Sequence, residues 1–102
     1  MNSYRTENYI KDKVIVITGA SSGFGKETAK KAAELGGKVV LAARREELLR
    51  EITQEIRESG GEASYIKTDV RVKDQVNAMA KFAVDTYGRI DLSLIHISEP
   101  TR

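Results

Sequence analysis

Two unbroken apolar runs, VIVI at Val14–Ile17 and VVLAA ending Lys38–Ala43, stand one helix-length apart in this chain. Successive side chains of a strand point to opposite faces, so a run apolar at every position needs both faces covered. Strands of that kind belong to parallel sheets, and two parallel neighbours need a crossover between them, usually a helix. The intervening residues supply one. From 23 to 35 the pattern is helical, with Ala29, Ala32 and Ala33 on one side, and Gly36-Gly37 ends it.

The same alternation continues. Leu48, Leu49, Ile52 and Ile56 recur at helical spacing within REELLREITQEIRESG, and Gly60-Gly61 stops that helix. EASYIKTDV predicts a third strand around 63–68, and Lys73–Tyr87 a third helix with Val76, Met79, Ala80, Ala83 and Tyr87 on its apolar side. Gly88 closes it and RIDL opens a fourth strand. The order β-α-β-α-β-α-β predicts an α/β fold, the first three to four strands and three helices of a Rossmann-like, doubly wound parallel sheet. IDLSLIHIS is apolar enough, with Leu92, Leu94, Ile95 and Ile97, to pass as strand four beside strand one, in the order 3-2-1-4, by strand propensity alone. Residues 1–12 are polar and read as a flexible lead-in, which leaves 13–91 as the domain.

Composition excludes several functions. The 17 Lys and Arg against 15 Asp and Glu are interleaved, so no basic surface for nucleic acid or an anionic membrane is expected. The chain has no cysteine, which removes disulfides and thiolate metal sites. No run nears the roughly 18 apolar residues of a membrane span, and the N-terminal stretch lacks an apolar signal core. A cytoplasmic location is expected.

Between the first strand and first helix runs TGASSGFGKE, at the place where open α/β sheets bind phosphates through backbone N–H groups and the helix dipole. A G-x-G-x-x-G pattern has no matching window. A P-loop would need glycine in place of Ala20 and Ser or Thr in place of Glu27, whose carboxylate repels phosphate and supplies no magnesium-binding hydroxyl. T-G-x-x-x-G-x-G matches in full at Thr18, Gly19, Gly23 and Gly25.

That loop, with the element order from Lys11 to Asp91, resembles the nucleotide-binding end of the short-chain dehydrogenase/reductase family. The resemblance implies a cofactor site formed by Gly19, Ser21, Ser22, Gly23, Phe24 and Gly25, with Phe24 where the family usually carries Ile or Val. Members preferring NAD end the second strand in an acidic residue on the adenosine ribose; here Ala43 stands there, followed by Arg44 and Arg45. The resemblance therefore implies NADP(H), NADPH over NAD, with Arg44 as main contact to the 2′-phosphate and Arg45 beside it. The alternative is that both arginines occupy the solvated start of the second helix. It also implies that Asp69 hydrogen-bonds the adenine amino group and that the Val70 backbone lines the ring pocket. Asp69 as a cap of the third helix is the alternative, and one carboxylate can serve both.

The family's chemistry uses a helical Tyr-x-x-x-Lys and a Ser. Tyr9 and Lys13 show that spacing, but they enter an extended strand, where the lysine cannot lie beside the tyrosine, so no catalytic residue is assigned. His96, the one histidine, has neither a carboxylate nor a second ligand to work with in the sequence pattern. The closing LSLIHISEPTR, residues 92–102, resembles residue for residue the translation of a transposase adapter used in sequencing libraries, which implies a tail added after Asp91 or Leu92. The parent protein is then expected to be an NADP-dependent dehydrogenase or reductase acting on a small-molecule carbonyl or alcohol, as a homodimer or homotetramer, with this segment inactive alone. A non-catalytic NADP(H)-binding module and a P-loop-type hydrolase are the alternatives.

Overall fold

The computed structural model describes residues 10–20 and 23–94. Four strands, β1 (Val14–Thr18), β2 (Lys38–Ala43), β3 (Glu62–Lys67) and β4 (Leu92–Leu94), alternate with three helices, α1 (Gly23–Glu34), α2 (Glu46–Glu58) and α3 (Lys73–Tyr87). All pairings are parallel, in the order β3-β2-β1-β4. The expected α/β architecture is therefore the one formed, with boundaries moved by a residue at β3, which starts at Glu62, and at α1, which stops at Glu34 before the Gly36-Gly37 turn. The fourth strand departs further, since of RIDL only Leu92 enters it, and its paired residues, Leu92–Leu94, belong to the stretch read as an added tail.

The apolar runs explain the layering. In β1 all five residues are buried, as are the last five of β2. Alternate residues divide between two cores. Ile15, Ile17, Val39, Leu41 and Ala63 pack against α1 and α2, whereas Val16, Val40 and Ala42 meet Met79 and Ala83 of α3 on the other face. Burying each valine, leucine, isoleucine and methionine among them contributes about 1.5–3 kcal/mol, which is what holds a helix to each side. On α1 the small Ala29, Ala32 and Ala33 are all buried and let the helix lie close to the sheet. On α2 the buried face is Leu49, Ile52, Thr53 and Ile56, at the spacing of one helical stripe. The Thr53 hydroxyl is buried in that stripe with no hydrogen-bond partner among the described residues.

At the amino edge of the sheet, Asp91 ties the last strand to the first. Its Oδ2 accepts from the backbone N–H of Val14 at 2.8 Å and from Nε of Arg89 at 2.9 Å, while its own N–H donates to the Val14 carbonyl at 2.9 Å. These bonds hold its carboxyl below the ordinary carboxylate range, the Val14 N–H contributing most. Among the described residues no helix is long and apolar enough to cross a membrane, and no group of His, Asp and Glu is placed to hold a metal.

Candidate cofactor site at the carboxyl edge of the sheet

Three connections leave the carboxyl ends of β1, β2 and β3, and backbone hydrogen bonds draw them into one row. The N–H of Ala20, just after β1, donates to the carbonyl of Ala42 at 3.3 Å. The N–H of Thr68, just after β3, donates to the carbonyl of Ala43 at 2.8 Å. The glycine turn, the Ala43-Arg44 step and the Thr68-Asp69 step are thereby neighbours on one edge, where parallel α/β sheets accept ligands.

The first turn is tight for a steric reason. Gly19 takes φ 68°, a backbone state that side chains disfavour, and so turns the chain out of the sheet. A Cβ on Gly25 would lie 2.3 Å from the Gly19 carbonyl oxygen and 2.9 Å from the Ala20 Cα, so only glycine lets the start of α1 pass this close to the turn. Gly23 differs. A Cβ there would meet nothing within 4 Å among the described residues, leaving its side toward them open. The first turn of α1 carries no acidic residue, unlike α2 with Glu46 and Glu47 and α3 with Asp74. The positive end of its dipole is thus not offset by a neighbouring carboxylate. Phe24 lies on this first turn; Ser21 and Ser22, expected to join the loop, lie outside the described residues.

At the second connection Arg44 and Arg45 are both exposed, and neither guanidinium has a hydrogen-bond or ion-pair partner among the described residues. Arg45 occupies the N-cap of α2 with extended backbone (φ −95°, ψ 93°), and its carbonyl accepts the N–H of Leu49 at 3.3 Å, so both arginines do stand at the solvated start of that helix; the Arg45 side chain makes no cap bond.

At the third connection Asp69 is held from two sides. Its N–H donates to Oε1 of Gln75 at 2.8 Å, across the first turn of α3. Its Oδ1 accepts from the N–H of Arg71 at 2.9 Å and from Arg71 Nε at 3.0 Å, and Oδ2 accepts from Arg71 Nη2 at 2.9 Å. The helix N-cap is Val72, not Asp69. The cap reading of Asp69 is therefore corrected: its carboxylate closes a two-residue turn ahead of the helix, because Arg71 competes for it more closely than the helix N–H groups do. Those bonds bring the carboxyl from the ordinary value down to about 2, with Arg71 the main cause and the charge of Arg44 a smaller one. Arg44 and Asp69 therefore act on each other across the β2 and β3 ends. Val70 follows with about half of its surface exposed. Tyr9, Ile95, His96 and the rest of the tail lie outside the described residues.

These residues fit a dinucleotide. The close Gly19–Gly25 crossing and the open side of Gly23 leave room for a phosphate at the start of α1, Arg44 is an exposed cation at the end of β2 with no hydrogen-bond or ion-pair partner among the described residues, and Asp69 keeps acceptor capacity beside an apolar, exposed Val70. Arg71 and Gln75 were not singled out in the sequence, although Asp-x-Arg at 69–71 is the spacing of a side chain that caps its own turn.

A parallel sheet in the order 3-2-1-4, helices on both faces and a glycine turn leading from β1 into α1 define a Rossmann-type nucleotide-binding domain. Residues 13–96 match the short chain dehydrogenase family, and the chain belongs to that family. It is 55% identical over 82 residues to YxnA of Bacillus subtilis (strain 168), named an uncharacterized oxidoreductase, covering 80% of this chain and 23% of that protein. Its structure is similar, with TM-score 0.80 and 42% identity, to a short chain dehydrogenase/reductase from Burkholderia phymatum in complex with NAD, covering 82% of this chain and 30% of that one. A metagenomic short-chain oxidoreductase in complex with NADP gives TM-score 0.78 and 39% identity, over 82% of this chain and 38% of that one. The chain thus spans about a quarter to under two fifths of the length of these relatives.

Proposed function

We propose that this chain is the cofactor-binding front of an NADP(H)-dependent oxidoreductase that moves hydride between nicotinamide and a carbonyl or secondary alcohol. The observation that carries the cofactor choice is the end of β2, where buried Ala43 is followed by exposed Arg44 with no partner among the described residues. A carboxylate at Ala43 would repel a 2′-phosphate; an uncommitted guanidinium clamps one through paired, charge-assisted hydrogen bonds. In this reading Gly19, Ser21, Ser22, Gly23, Phe24 and Gly25 form the phosphate turn, Arg44 with Arg45 takes the 2′-phosphate, and Asp69 with Val70 takes the adenine. The cofactor supplies the redox chemistry when bound, and these residues hold and orient it. The substrate is a small carbonyl or alcohol compound, and the protein acts in the cytoplasm as a homodimer or homotetramer.

Titration of the whole protein with NADPH and NADH, followed by the change in nicotinamide fluorescence, tests this. NADPH is expected to bind roughly 100-fold more tightly than NADH, and Arg44→Ala to remove most of that preference. Equal binding of the two by the unaltered protein would refute the NADP assignment.

A further inference from the structure

We propose that Arg71 is a positioning residue of the cofactor pocket: it clamps the Asp69 carboxylate in one orientation with a single acceptor position left open, and so makes the site select a base carrying an amino group. The inference rests on the cofactor reading above and goes beyond it, to how the base is chosen.

The geometry is that of a clamp, because Arg71 reaches Asp69 through three donors. Its backbone N–H and Nε both end on Oδ1, and Nη2 ends on Oδ2, all between 2.9 and 3.0 Å. An ionised carboxylate offers about four acceptor positions, so one remains, on Oδ2. The carboxylate cannot rotate without losing the paired contact, and its own backbone is fixed by Gln75 of α3. The guanidinium itself lies outside, with 72% of its side-chain surface exposed, whereas the Asp69 side chain is 21% exposed. Arg71 therefore adds little packing; what it supplies is the aim of the Asp69 carboxylate. The exposed Val70 lies between them in sequence and leaves an apolar surface beside that carboxylate.

An ionised carboxylate accepts and never donates. Adenine offers an amino donor on its six-membered ring, whereas hypoxanthine offers a carbonyl there, which would face the carboxylate oxygen lone pair to lone pair. A hydrogen bond to a charged group is worth roughly a 10- to 100-fold difference in affinity, and that is the discrimination expected between NADPH and its hypoxanthine analogue.

The test measures dissociation constants of both nucleotides for the whole protein and for three variants, alongside their melting temperatures. Arg71→Ala is expected to bring the NADPH-to-hypoxanthine ratio down to about threefold or less, with melting shifted little because the residue is exposed. Arg71→Lys, which keeps the charge but not the fork, is expected to fall between. Asp69→Asn is expected to narrow the ratio or reverse it, since its amide can donate to the hypoxanthine carbonyl. An unchanged ratio in Arg71→Ala overturns the inference. So does a loss of NADPH relative to NADH at a constant base ratio, which would make Arg71 a phosphate contact. If the unaltered protein binds neither NADPH nor NADH, the cofactor reading falls and this inference with it; if it binds both without regard to base, this inference falls together with the adenine role of Asp69, and the dinucleotide assignment stands.

Discussion

The two inner glycines of the first turn are glycine for different reasons, and replacing each by alanine separates them. In Gly25→Ala the new Cβ would stand 2.3 Å from the Gly19 oxygen and 3.0 Å from the Gly19 carbonyl carbon, both backbone atoms that cannot swing away as a side chain could. The turn and the start of α1 would have to part by about 1 Å, with an overpacking cost of roughly 3 kcal/mol, the upper end for inserting a methyl group into a packed site. For a domain of 150–250 residues that lowers the melting temperature by about 6–12 °C. In Gly23→Ala the Cβ meets nothing within 4 Å among the described residues, its φ is not positive, and alanine suits a helix better than glycine. Melting should stay the same or rise slightly. Yet the methyl group would occupy the open side of the turn, where a phosphate is proposed to lie, and NADPH affinity is expected to fall about 10- to 100-fold. Differential scanning fluorimetry and an NADPH titration on the same samples read both effects. A Gly23→Ala variant that binds NADPH as tightly as the unaltered protein, or a Gly25→Ala variant that melts within about 2 °C of it, would refute the reasoning.

Thr53→Val removes a buried hydroxyl with no partner among the described residues and keeps its shape, so it should stabilise the protein by about 1 kcal/mol in urea unfolding; a loss would show that the hydroxyl is satisfied after all. The Asp91 carboxyl is held low by the Val14 N–H, so its contribution is present above the unfolded-state pKa and is lost as pH falls through the lower folded value. Asp91→Asn should therefore flatten the acid side of the stability profile measured by denaturant midpoint, and an unchanged profile would count against the pin. Resequencing the source DNA across the codon for Asp91 is expected to replace LSLIHISEPTR with apolar residues running into Asn-Asn-Ala-Gly; finding the tail encoded there would end the adapter reading.

The fold was legible because every element carried its own signal. The doubly apolar runs of β1 and β2 require a parallel sheet, and the stripe of Leu49, Ile52 and Ile56 marks one buried helix face. Element ends were less so: nothing in EASYIK distinguishes Glu62 as the first paired residue, a matter of register against Lys38 in the neighbouring strand. In the site, the positions of Gly19, Gly25, Arg44 and Asp69 followed from strand ends. The partners of Asp69 did not. Its capture by Arg71 over a helix cap depends on side-chain reach within a four-residue turn, and the hold on its N–H depends on Gln75 arriving from the next element. The pin at Asp91 joins residues 77 positions apart, a separation that no local pattern encodes.

That same separation has a consequence for how the chain is made. β1 sits inside the sheet, yet only its β2 side is satisfied early, by a neighbour one helix away. Its other edge is matched by β4, Leu92–Leu94, which lies in the stretch read above as an added tail, so in the parent protein the strand encoded after Asp91 is expected to take that place. At about 5–20 residues per second of synthesis, the edge of the most apolar strand stays open for roughly 4–15 s after Val14 is joined, with its backbone donors and acceptors unclaimed. For that interval β1 is an edge strand without the charges or prolines that protect permanent edges. Nascent chains halted before that strand are therefore the species in which the β1 edge is left open.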